Sequence, residues 1–212
     1  MSIQGNNLLD HDEFALYHPL AMEWCNVIEQ YTVRTGEAPY WFTEMADVGL
    51  LLAAAWRSGW VGVTEFQTEK RKEDKEVHGR GDLWLSNDDI QVYLEAKSAM
   101  HSGDDLEGFV EKVGKRIADA KNDCAATRAN SKTTASCKYV AATFISVKFQ
   151  ITPDIDLEKL VSSFLSTVAG SKLGKYAYAW SFPLDADAKY VTRKAIDDAY
   201  LYPGAFLFLD RG

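Results

Sequence analysis

The residue types and spacing that could do chemistry lie between Gly79 and Ala99, in the stretch GRGDLWLSNDDIQVYLEAKSA. Two strand-like runs meet there across a polar turn. The first carries Asp82, and the second carries Glu95 and Lys97. With residues 86–89 as the turn and Leu85 paired to Ile90, Asp82 falls opposite Tyr93. Glu95 is then its diagonal neighbour on the same face, about 7–8 Å away by backbone. Alternation places Gln91, Tyr93, Glu95 and Lys97 on one side and Ile90, Val92, Leu94 and Ala96 on the other. Asp82, Glu95 and Lys97 therefore converge, provided the turn holds no one-residue bulge, which would flip one strand.

Two carboxylates brought that close suit a hard divalent cation with oxygen ligands, Mg²⁺ or Mn²⁺. Without a cation they repel, and one takes up a proton near neutral pH. A lysine on the same face can pair with them, orient a water, or neutralise charge on a phosphoryl oxygen. The same three charges also fit a cross-strand surface cluster of little energetic worth. The apolar residues around them argue against a merely wetted edge.

The elements that must position this stretch can be read along the chain. Residues 11–34 are helical in spacing, through Phe14, Tyr17, Leu20, Trp24, Val27, Ile28 and Tyr31, and Pro19 requires a kink or two segments. A second helix over 43–58 ends before Gly59, with an apolar face of Met45, Val48, Leu51, Leu52, Ala55 and Trp56. Glu44 stands on that face in the first turn. A carboxylate there interacts favourably with the helix dipole and needs no further role. Residues 60–67 read as a strand. Residues 68–78, TEKRKEDKEVH, read as a solvated strand end or loop, although Lys70, Arg71, Lys72, Lys75 and Arg80 could face a phosphate backbone.

Residues 106–129 form a long helix with the stripe Leu106, Phe109, Val110, Val113, Ile117, Ala120 and Cys124, and with Lys112, Lys115 and Arg116 on an opposite sector. Residues 139–150 are apolar enough for a central strand. A helix over 157–168, a strand over 176–182, a short helix over 191–199 and a strand over 204–210 complete the chain. The result is one α/β domain with a mixed sheet, spanning 1–212, with a core at about 43–150 and additions at both ends.

The 212 residues carry 23 Lys and Arg against 31 Asp and Glu, a net charge of −8. That balance excludes a surface that attracts nucleic acid all over, though not a local basic groove. The apolar run 48–56 is far short of a bilayer span, and the N-terminus does not read as a secretory signal. Cys25, Cys124 and Cys137 are odd in number, without a C-x-x-C pair, and read as reduced thiols of a cytoplasmic protein. No phosphate-binding glycine loop, zinc-protease helix or serine elbow is present. The tryptophans read as core, with Trp84 on the face of the candidate site.

GRGDLWL followed by VYLEAKSA resembles the core motif of the PD-(D/E)XK nucleases, the restriction-endonuclease-like superfamily. The family's order of helix, three strands, helix and strand matches the reading from Thr43 to Gln150, roughly half the chain. The resemblance implies a restriction-endonuclease-like core with a central mixed sheet flanked by helices. It also implies metal-dependent hydrolysis of phosphodiesters, with DNA before RNA as substrate. Asp82 matches the first metal-binding acid, with Gly81 where the family usually has proline. Glu95 matches the second acid, the Ala96 carbonyl a further metal ligand, Lys97 the lysine that positions the attacking water, and Glu44 an additional acid on the preceding helix. The glutamine-tyrosine motif of some members is missing from the following helix. Arg80, Lys112, Lys115 and Arg116 are the candidates for substrate contact. The implied partners are Mg²⁺ or Mn²⁺ and nucleic acid, without a membrane, and a homodimer is left open. The alternative is a catalytically inactive nuclease-fold module for binding or assembly.

Overall fold

The structure is a computed structural model that describes residues 2–72, 75–128, 137–150, 156–184 and 200–212, with the backbone alone for 68–72 and 75–78. Among the described residues four α-helices flank a seven-stranded mixed sheet. In chain order the elements are β1 (Ser2–Asn6), α1 (His18–Thr35), α2 (Glu44–Arg57), β2 (Val61–Lys72), β3 (Lys75–Ser86), β4 (Gln91–Ser102), α3 (Leu106–Arg128), β5 (Cys137–Gln150), α4 (Leu157–Ala169), β6 (Ala177–Pro183) and β7 (Tyr200–Arg211). The sheet order is β1-β6-β7-β5-β4-β3-β2. Among the described residues only the β4–β5 contact is parallel, and α3 supplies the crossover between those strands.

Alternation along the central strands divides the core into two. Phe144, Leu207, Leu209, Ala177 and Ala179 join Trp24 and Ile28 of α1 and Leu51 and Ala55 of α2 on one face. Their neighbours Ile145, Phe206, Phe208 and Tyr178 face Phe109 and Val113 of α3 and Val161 and Phe164 of α4. β5 lies at the centre of the sheet, and both of its faces are covered, so its continuous apolar run is what that position requires.

Several expectations are corrected. The first long helix begins only at His18, because Pro19 fits its first turn, where no intrahelical N–H is needed. Two 3-10 turns, Leu8–Asp10 and Ala15–Tyr17, precede it. β1, pairing with β6, was not legible. The charged segment after residue 67 continues as strand in a hairpin whose register runs from Val61↔Ser86 to Lys72↔Lys75. On α2, Met45 is 67% and Trp56 58% exposed, so they lie off the buried face that Val48, Leu51, Ala54 and Ala55 make. The helix expected over 191–199 lies outside the described residues.

Candidate functional site

Asp82 stands where β3 loses its ladder on both sides. Toward β2 the pairing passes from Thr64↔Leu83 to Phe66↔Gly81, and Glu65 between them has φ 50°, a strained value for a residue with a side chain. Toward β4 the pairing ends at Leu83↔Leu94. Beyond it the Asp82 carboxylate replaces a strand carbonyl: its Oδ2 accepts the Ala96 N–H at 2.7 Å. Gly81 is needed here, since a Cβ at that position would meet the Phe66 ring at 2.3 Å.

The hairpin register differs from the expected one by two residues. Ser86 pairs with Gln91, and Leu85 with Val92. The turn is Asn87–Ile90, because the Asn87 Oδ1 accepts the N–H groups of both Asp89 and Ile90 at 3.0 Å and builds the turn from its own side chain. A shift of two preserves the faces, so the convergence survives. Trp84 now faces Tyr93, and one further step of the same register sets Asp82 across from Glu95.

On β4, Glu95 and Lys97 project toward α3, and two α3 residues one helical turn apart receive them. Thr127 Oγ1 donates to Glu95 Oε1 at 2.6 Å, and Lys97 Nζ lies 2.6 Å from Asp123 Oδ2. Glu95 is 2% exposed. Burial alone would lower the Lys97 titration, but the hydrogen bond and charge of Asp123, followed by the charges of Glu44 and Asp82, raise it instead. Lys97 is thus held as a cation by three acids from α3, α2 and β3. Cys124, between Asp123 and the next turn, is pushed up to about 12 by burial, against the lowering effect of the Glu95 backbone, and remains a thiol.

Alternate residues of β4 turn to the other face. Glu44 Oε2 accepts the Ser98 N–H at 2.9 Å, and the Ser98 hydroxyl donates to Asp47 Oδ2. α2 begins at Glu44 because Thr43 caps it, its Oγ1 accepting the Ala46 N–H at 3.3 Å. Asp47 is 3% exposed, and its Oδ1 has no hydrogen-bond partner among the described residues. Its carboxyl is pushed up to about 7, first by burial and then by Glu44, with the Ser98 hydrogen bond opposing. Glu44 borders two clefts. One of ≈150 Å³ reaches Asp82 between α2 and β2, and one of ≈190 Å³ reaches Asp47 and Ser98.

The structure therefore gathers Asp82, Glu95, Lys97 and Glu44 at one junction of α2, β3, β4 and α3. It does not bring the expected substrate-contact residues there as free cations. Arg80 pairs with Glu65 at 2.8 Å and Arg116 with Asp119 at 3.2 Å. Among the described residues, Lys112 and Lys115 pair with no acid, Asp82 included. Sequence reasoning missed Thr127, Asp123 and Asp47. The available signal was a polar residue on an apolar stripe: Thr127 follows Cys124 by three positions on α3, and Asp47 precedes Leu51 by four on α2.

No family model, curated protein or solved structure matches the chain. Among the described residues no helix is long and apolar enough to cross a membrane.

Proposed function

We propose that this chain is a divalent-metal-dependent phosphodiester hydrolase acting on nucleic acid, DNA before RNA. The observation that carries the reading is the Asp82–Ala96 hydrogen bond, which opens the sheet where Asp82, Glu95 and Lys97 meet. The Asp82 and Glu95 carboxylates and the Ala96 carbonyl offer oxygen ligands there, which fits Mg²⁺ or Mn²⁺. Among the described residues no three Asp, Glu, His or Cys side chains are grouped closely enough to hold one ion. Asp82 and Glu95 would therefore share it with the Ala96 carbonyl and water. Once bound, such an ion stabilises charge developing on the phosphorus oxygens. Lys97, kept protonated by its acidic neighbours, holds the attacking water by donating to its oxygen. Glu44 fixes the β4 backbone at Ser98 and faces the cleft that leads to Asp82.

A second reading is a catalytically inactive module for binding or assembly. It is favoured by Thr127 and Asp123, which already occupy the Glu95 carboxylate and the Lys97 ammonium. Titration calorimetry with Mn²⁺ separates the two. Heat of binding that disappears in Glu95→Gln supports the hydrolase, and no binding by the parent protein rejects it in favour of the module.

A further inference from the structure

A separate cleft of ≈250 Å³ opens beyond the C-terminal end of α3, where the ends of β5 and β7 meet the segment before α1. Three cations line it: Arg128, Lys138 and Arg211. One acidic side chain, Glu13, faces them and pairs with Arg211. Among the described residues the side chains of the cleft keep two net positive charges (three less one) in a chain whose total is −8. Its lining includes Tyr17, which is 3% exposed and whose Oη has no hydrogen-bond partner among the described residues. Burial, with smaller contributions from Cys137 and Glu13, raises the titration of Tyr17, so its hydroxyl remains a donor. A buried donor left unmatched costs free energy, commonly about 1–3 kcal/mol. Arg128, Lys138 and Arg211 offer it further donors, and the Glu13 carboxylate is engaged by Arg211.

Phe14 and Tyr139 supply apolar wall, and the Arg128 guanidinium lies 5.9 Å from the Tyr139 ring centroid. Cations, an unmatched hydroxyl donor and aromatic surface ask for a ligand rich in acceptor oxygens with a small flat or apolar body. We infer that this cleft binds the phosphate group of a nucleotide-sized phosphate ester, with Arg128 and Lys138 as its charge partners and Tyr17 as its buried donor. A volume just below the roughly 300 Å³ at the lower end of drug-sized pockets suits such a ligand better than a large cofactor. The cleft needs no metal and none of the residues around Asp82. It adjoins that junction, since Arg128 follows the Thr127 that donates to Glu95, and Tyr139 pairs in register with Tyr93.

The test is binding to the intact chain in EDTA, so that it stands apart from the hydrolase reading. The probes are inorganic phosphate, adenosine 5′-monophosphate, and a short oligonucleotide with or without a 5′-phosphate, followed by NMR or calorimetry. Saturable binding of the monophosphate or the 5′-phosphorylated strand is expected, and the stronger of the two identifies the source of the phosphate. Binding should weaken about tenfold or more in Arg128→Ala/Lys138→Ala. It should be retained in Asp82→Asn. Tyr17→Phe should weaken binding while leaving the melting temperature equal or higher, because it removes an unmatched buried hydroxyl. No saturation by about 10 mM of any probe, a weak limit for a specific site, overturns the inference. So does binding unchanged in Tyr17→Phe and the double variant.

Discussion

Lys97 Nζ lies 2.6 Å from Asp123 Oδ2, so the lysine of the candidate site has its ion pair on a helix, and Asp82 adds only its charge. Burial opposes its charge, and Asp123 is the chief group restoring it. Replacing Asp123 with Asn should lower the Lys97 titration, because burial is then offset only by Glu44 and Asp82. Side-chain NMR of Lys97 across an alkaline titration reads this directly. An unchanged midpoint would show that Asp123 does not hold the ammonium.

Thr127 gives its hydroxyl to a carboxylate that is almost wholly buried. Thr127→Val keeps the shape and removes the donor. The expected loss is about 1.5–3 kcal/mol, the range for hydrogen bonds to charged groups, read from urea unfolding. Thr127→Ser should recover most of it. A Val variant as stable as the parent would mean that Glu95 does not depend on this contact.

Asp47 gives stability a pH dependence of defined sign. Its carboxyl is raised from an ordinary 3.8 to about 7, chiefly by burial. Between those values the folded chain keeps a proton that the unfolded chain has released. Stability therefore falls as pH rises through that window, by at most about 1.4 kcal/mol per pH unit, and levels off above it. Unfolding midpoints between pH 4 and pH 7 should show this slope. Asp47→Asn should flatten it, and an identical slope in that variant would remove Asp47 as its source.

What could be read from the sequence follows from how local each signal is. α2, α3, α4 and β5 announced themselves through periodicity or an unbroken apolar run, and the structure places them within a few residues of the expected bounds. β1 did not, because SIQGN has neither alternation nor an apolar run. The α2 stripe was drawn too wide: hydrophobicity alone cannot tell Val48, which is buried, from Met45 and Trp56, which face outward. In the site, the strand residues shared a face whichever even register the turn chose. Asn87 decided which one, by using its own side chain to build the turn. The partners of Glu95 and Lys97 were beyond local reading, since Asp123 and Thr127 meet β4 only after α3 has crossed back over the sheet.

The most direct measurement of the central claim is cleavage of DNA, as plasmid, linear and branched substrates, by purified protein with Mn²⁺ or Mg²⁺. The account predicts cleavage that requires the metal and falls at least about a hundredfold in both Asp82→Asn and Lys97→Ala, the order expected when one electrostatic or proton-handling group is lost. No cleavage under any of these conditions, or cleavage left intact by both substitutions, would contradict it.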